Sequence, residues 1–186
     1  MQADEFRQRF MLHQAAQAEE GGAIDIKQAA VLVPIIDYGT ELTLLFTQRA
    51  LHLRHHPGQI SFPGGRIEPN ETPAEAALRE ANEEIGLQRQ NVDLLGSLPI
   101  QPTSTGFTIV PWVALVKPQP RWHIEPNEVA DIFEVPLQHF LQQQNRHQFN
   151  LPLAGKIRQL HAMPYQGRFI WGATAAIMHR LCIQLL

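Results

Sequence analysis

The sequence predicts a single domain of mixed α/β (α+β) class. Three observations carry that prediction. Apolar runs rich in β-branched residues at Ala29–Ile36 and Phe107–Val116 read as buried strands. The segment from Thr72 to Gly86 carries a full set of helix start and stop signals. Strands and helices alternate irregularly along the chain, with no internal repeat and no linker of distinct composition.

The elements follow in order. Residues 3–20 read as an amphipathic helix, with Phe6, Phe10, Met11 and Ala15 on one stripe and Gly21-Gly22 as its stop. This divides the chain into an N-terminal helical extension, 1–22, and a main domain, 23–186. The extension offers a surface for a homodimer or for packing on its own domain. Ala29–Ile36 and Leu42–Thr47 flank the turn Asp37-Tyr38-Gly39-Thr40 and form a hairpin. His52–Gly65 reads as a loop punctuated by Pro57-Gly58 and Pro63-Gly64-Gly65.

Thr72-Pro73-Ala74-Glu75 opens the central helix. Thr72 caps, Pro73 suits the first helical position because it lacks an N–H that would be unpaired there, and Glu75 completes a capping box. The helix runs to Ile85 and stops at Gly86, with Ala74, Ala77, Leu78, Ala81 and Ile85 as its apolar face. Val92–Ile100 and Phe107–Val116 are further strands, and Pro111 demotes the second to an edge or bulge. Val129–Val135 reads as a strand and Pro136–Gln144 as a short helix. Gln142–Gln148 reads as solvated surface. Leu160–Met163 and Arg168–Trp171 form a hairpin, and Ala173–Leu185 closes the chain as an apolar helix. Trp112 and Trp171 are expected in the core.

Composition removes several function classes. With 186 residues the chain is long enough to bury a core without staples. Its only cysteine, Cys182, excludes an internal disulfide framework and a Cys-based zinc cluster. The nine histidines show no HxH or HExxH spacing, which argues against zinc. A net charge of −3 argues against nucleic acid as the partner, although twelve Arg against three Lys suits bidentate phosphate contacts. The apolar runs are far too short to span a bilayer, and the acidic N-terminus does not resemble a leader. The expected location is the cytoplasm, with no membrane partner.

The chemistry is concentrated between Gly65 and Leu87. Glu80, Glu83 and Glu84 stand three and four residues apart on one helix. Carboxylates this close repel, and they lie near the helix C-terminus, where the dipole also disfavours anions. A divalent cation turns both penalties into ligation, and oxygen ligands suit Mg²⁺ or Mn²⁺. A solvated acidic helix face is the alternative reading. Arg79 lies four residues before Glu83 and can pair with an upstream acid, and the preceding Gly64-Gly65 lets a phosphate approach the backbone.

This stretch resembles the Nudix box, G-x5-E-x7-R-E-U-x-E-E-x-G-U, where U is a bulky aliphatic residue. Gly65, Glu71, Arg79, Glu80, Glu83, Glu84, Gly86 and Leu87 fall in register, and Ala81 is smaller than the usual aliphatic. Its fixed identities coincide by chance in only about one chain in a million, given ordinary composition. The resemblance implies the Nudix fold, a mixed sheet sandwiched between helices, and hydrolysis of a diphosphate joined to another moiety. It implies Glu80, Glu83 and Glu84 as metal ligands, Glu80 and Glu84 foremost, with Glu71 and Arg79 bracing the loop against the helix.

Residues 44–65, LLFTQRALHLRHHPGQISFPGG, resemble a second signature, that of the coenzyme A diphosphatase branch. Phe46 and Ala50 depart from its pattern without removing a polar contact. FIWGAT at 169–174 also resembles this branch, so the likeness spans about residues 30–180. It implies cleavage of coenzyme A to 3′,5′-ADP and 4′-phosphopantetheine. It implies Arg49, Arg54, His56, Gln59, Gly64 and Gly65 as substrate-binding positions, with Gln59 able to shape the loop instead. Arg49, Arg54, His55 and His56 form a local cationic cluster suited to phosphate, or alternatively are ordinary surface residues. His55 is incidental. Glu80 and Glu83 are the candidate catalytic bases. Glu128 is an additional candidate for base or ligand, against the alternative of an exposed capping residue. Competing readings are a Nudix hydrolase of ADP-ribose, NADH or another dinucleotide, and a non-catalytic nucleotide-binding module.

Overall fold

A computed structural model of the chain describes residues 1–17, 28–103, 106–153 and 156–186. Its frame is a mixed sheet built on β1 (Gln28–Asp37) and β2 (Leu42–Arg49), antiparallel through the expected turn. β1 also runs parallel to β7 (Thr108–Val116) over nine residue pairs, from Gln28–Thr108 to Ile36–Val116. β5 (Val92–Ser97) and β6 (Gln101–Pro102) pair with the far side of β7. β8 (Val129–Pro136) and β3 (Ile60–Ser61) pair with β2, and β4 (Gly64–Arg66) pairs with β1. The loop expected over His52–Gly65 therefore contains two short strands, β3 and the start of β4.

Side chains alternate across this sheet and make two cores. On one face Ala30, Leu32, Leu45, Ala114 and Val116 meet Ala77, Ala81 and Ile85 of α2 (Pro73–Ile85). On the other, Val33, Ile35, Leu44, Phe46 and Val113 meet α1 (Ala3–Gln17), α3 (Leu137–Leu141) and α4 (Gly172–Leu185). The sheet is thus sandwiched between helices. Ala76, rather than Ala74, is buried on α2, because the covered stripe turns toward Glu84.

The N-terminal helix packs on its own domain. Phe6 and Phe10 are fully buried with Met178 and Leu181, while Met11 is exposed. Each fully buried Phe stabilises the fold by about 1.5–3 kcal/mol. Residues 18–22, the Gly21-Gly22 stop and the division at 22/23 lie outside the described residues, as does the side chain of Ala15.

Pro111 corrects one expectation, since β7 is an interior strand. The Pro111 carbonyl accepts from the Leu98 amide at 2.9 Å. Its nitrogen faces the same side, where the partner strand is broken between Ser97 and Gln101, so no ladder donor is lost.

A second, antiparallel sheet contains β9 (His147–Leu153), β10 (Lys156–Tyr165) and β11 (Arg168–Trp171). β10 and β11 form the expected hairpin. β9 overlaps the Gln-rich patch, where exposed polar side chains concealed a strand defined by its backbone ladder. Trp171 is 44% exposed on this sheet, so it is not a core residue. Cys182 is buried, its thiol pushed up to about 12 by that burial, and it acts as a small hydrophobe. No helix among the described residues is long and apolar enough to cross a membrane.

Candidate active site

The geometry of α2 begins at its caps. The Thr72 hydroxyl accepts from the Glu75 amide, and the Glu75 carboxylate accepts in return from the Thr72 amide at 2.8 Å. Gly86 ends the helix at φ +68, a left-handed conformation that costs glycine little. The caps fix the ends of α2, and burial of Ala77, Ala81 and Ile85 against the sheet sets its rotation, and with it the directions of Glu80, Glu83 and Glu84.

Glu80, Glu84 and Glu128 converge, each offering a carboxylate oxygen within 4.8 Å of the other two. Glu84 is buried and accepts from the Gly64 amide at 3.2 Å. Burial pushes its carboxyl up from an ordinary 4.5 to about 8, with repulsion from Glu80 and Glu128 adding, against the Gly64 bond and the charge of Arg49. Burial also raises Glu80, opposed by its bond to Arg79. Glu128 is the exposed member, and no hydrogen bond to its carboxylate occurs among the described residues.

Gly64 and Gly65 form the wall against which these carboxylates lie. A Cβ at Gly64 would overlap the Ala30 carbonyl and Val31, within the β1–β4 pairing. A Cβ at Gly65 would overlap the Glu80 carboxylate itself. Both glycines are needed for space rather than for a left-handed φ.

Arg79 ties the box together. Its Nε and Nη2 donate to the two oxygens of Glu71 at 2.8 and 3.0 Å, and Nη2 also donates to the Arg66 carbonyl at 3.0 Å. Nη1 donates to Glu80 at 2.9 Å and to Glu83 at 3.0 Å. Glu71 is held below the usual carboxylate range chiefly by Arg79, with the Glu68 amide helping. Arg79 is correspondingly raised by its bond to Glu71. Loop and helix are thereby braced. Glu83 belongs to this brace and stands apart from the three converging carboxylates.

The segment carrying the second signature leads directly into this wall. The Arg49 amide donates to the Gln59 carbonyl at 3.0 Å, and the Gly58 amide to the Arg49 carbonyl at 3.1 Å, closing the loop that bears Arg54 and His56. The Ala50 amide donates to the Glu128 carbonyl at 2.9 Å. Arg49 lies close enough to Glu84 to affect its ionisation, and its Nε is buried without a hydrogen-bond partner among the described residues. Arg54 and His56 are exposed, and no bond joins them to the carboxylates among the described residues. Gln59 is half-buried and contributes its backbone to the loop closure.

Sequence reasoning named Glu128 as a candidate ligand or base but did not find the contacts that carry its turn to α2. The Glu125 amide donates to the Glu84 carbonyl, and the His123 amide to the Ile85 carbonyl, so this loop covers the C-terminal end of α2. The Pro126-Asn127 turn signal was visible, but nothing in the local sequence linked it to a helix forty residues away.

The donor set fits a divalent cation. It consists of carboxylate oxygens with no sulfur or imidazole, and it concentrates like charge around a buried group. Such sites favour Mg²⁺ or Mn²⁺.

Comparison with known proteins identifies the family. The family model of the NUDIX domain matches residues 26–154. The chain is 36% identical over 183 residues to the "Uncharacterized Nudix hydrolase NudL" of Enterobacter sp. (strain 638), covering 98% of this chain and 94% of that protein. It is 41% identical over 160 residues to the NudL protein of the same description from Pectobacterium atrosepticum, covering 86% and 83%. Among solved structures, a C. elegans Ap4A hydrolase binary complex superposes with a TM-score of 0.52 at 19% identity, covering 59% of this chain and 80% of that one. The NUDIX domain of Shewanella oneidensis NrtR, complexed with ADP ribose, gives 0.50 at 22% identity, covering 70% and 86%. At these identities the structures establish a shared fold. By its matching domain, its near-full-length relatives and its intact acidic box, the chain belongs to the Nudix hydrolase family, enzymes that cleave phosphoric anhydride bonds.

Proposed function

We propose that this enzyme hydrolyses the diphosphate bond of coenzyme A or its derivatives, giving 3′,5′-ADP and 4′-phosphopantetheine. The observation that carries the proposal is the continuity of residues 44–65 with the carboxylate site. The segment begins in β2, closes a loop through Arg49 and Gln59, and ends in Gly64 and Gly65 against Glu84 and Glu80.

Glu80, Glu84 and Glu128 would hold the divalent cation. When bound, such cations neutralise diphosphate oxygens and lower the pKa of an attacking water. Glu128 would be the base for the attacking water's proton. It is the exposed carboxylate of the three, whereas Glu80 and Glu83, the other candidate bases, both accept from Arg79. Arg49, whose charge already acts on Glu84, would set positive charge beside the diphosphate, and Arg54 and His56 would contact the 3′-phosphate as hydrogen-bond donors.

The test incubates purified protein with coenzyme A, dephospho-coenzyme A, ADP-ribose and NADH, each with Mg²⁺ or Mn²⁺, and identifies products by mass spectrometry. Glu84→Gln serves as the control. Metal-dependent 3′,5′-ADP and 4′-phosphopantetheine, absent in the control, is the expected result. Cleavage of ADP-ribose with coenzyme A intact would overturn the substrate and leave the hydrolase. No cleavage of any of the four would transfer the weight to an untested diphosphate or to a nucleotide-binding role.

A further inference from the structure

Glu84 serves the site twice. Its side chain is one of the three converging carboxylates, and its main-chain carbonyl anchors the turn that delivers another. The Glu125 amide donates to that carbonyl at 2.9 Å. The Glu125 carbonyl in turn accepts from the amides of Glu128 at 3.0 Å and Val129 at 2.9 Å. Across the turn, the Glu125 carboxylate accepts from Asn127 twice, from its amide at 3.1 Å and its Nδ2 at 2.8 Å. The Glu128 carbonyl is then fixed to the end of β2 through the Ala50 amide.

We infer that Glu125 and Asn127 are positioning residues for the hydrolysis, locking the 125–128 turn so that Glu128 meets Glu80 and Glu84. The inference rests on the reading of Glu128 as a cation ligand. Its physical basis is entropic. Glu128 is on an exposed turn and lacks the packing that directs Glu80 and Glu84 from a helix. A side chain presented from such a turn loses its aim when the turn loosens. The doubly accepting Glu125 carboxylate supplies the order that burial supplies elsewhere. Asn127 contributes through its side-chain donor, and Glu125 through its acceptor geometry rather than its charge.

The experiment measures Mn²⁺ binding to the full-length protein by electron paramagnetic resonance, with the metal-free thermal midpoint and the Mn²⁺ dependence of turnover alongside. Asn127→Ala should weaken Mn²⁺ binding about fivefold, the effect of one lost hydrogen bond, and Glu125→Ala, which removes two, by at least as much, with the metal-free midpoint unchanged. Glu125→Gln keeps the acceptor oxygen and should bind within twofold of the parent. Asn127→Ala combined with Glu128→Gln should bind no more weakly than Glu128→Gln alone, because the turn acts only through Glu128. Parental affinity in Asn127→Ala, or independent losses in the double variant, would overturn the role of the turn. A fivefold loss in Glu125→Gln would show that charge, not geometry, was at work. Unchanged affinity in Glu128→Gln would overturn the ligand reading and the inference together, which separates the two failures.

Discussion

The Gly64 amide donates to the buried carboxylate of Glu84 across 3.2 Å, joining a strand edge of the sheet to the last turn of α2. This single bond is too little to offset burial and two like-charged neighbours, so Glu84 is pushed up to about 8. The site is built at the expense of the fold that carries it.

A pH dependence follows. Because the folded state holds a proton on Glu84 that the unfolded chain releases near 4.5, metal-free protein should lose stability as pH rises from about 4.5 to 8. Glu84→Gln keeps an acceptor for Gly64 and removes the Glu84 share of the slope, leaving that of Glu80, which burial also raises. It should be more stable than the parent at pH 8, on the order of 2–4 kcal/mol, while losing turnover. Added Mg²⁺ should raise the parent's midpoint more at pH 8 than at pH 5. Thermal melts across pH check all three, and a pH-independent difference between parent and variant would contradict the account.

The two glycines should respond differently to alanine. At Gly65 the added methyl meets the far end of the Glu80 side chain, which can give way. Gly65→Ala should therefore fold normally and lose kcat about tenfold or more, with a raised Mg²⁺ requirement. At Gly64 the methyl meets backbone, which cannot yield, so Gly64→Ala should lower the melting temperature by overpacking worth about 1–3 kcal/mol. Circular dichroism melts beside kinetics separate the two.

Arg79 holds Glu71, Glu80, Glu83 and the Arg66 carbonyl with one planar group. Lysine carries charge but lacks this fork. Arg79→Lys should lose stability by about 1–3 kcal/mol and turnover by tenfold or more. Urea titration and kcat measurement test this, and near-parental activity would show that charge alone suffices at this position.

Arg54→Ala tests the substrate reading. If Arg54 faces the 3′-phosphate, the change should raise KM for coenzyme A about tenfold and leave dephospho-coenzyme A within twofold. Equal losses on both would remove that role from Arg54.

Local elements were legible because their signals are local. The capping box at Thr72, the αL glycine at 86 and the hairpin turn at Gly39 each follow from backbone chemistry within a few residues. Pro111 was misread because its strand type depends on a partner. Its missing donor is harmless only where the neighbouring strand is interrupted. β9 was missed because a ladder, and not its side chains, makes it a strand.

By itself the sequence determined the two signatures, the central helix and the oxygen-only chemistry of its acids, since spacing along one helix is set by its pitch. Only tertiary structure decided which acids meet. Glu83 and Glu84 are adjacent in sequence, yet successive residues on a helix point about 100° apart. Glu83 turns to Arg79, while Glu84 is driven into the wall at Gly64. The third carboxylate arrives from Glu128, beyond three intervening strands, because long-range backbone bonds to Glu84 and Ala50 place its turn there. A pairing of that kind depends on sheet order and register, which no local spacing encodes.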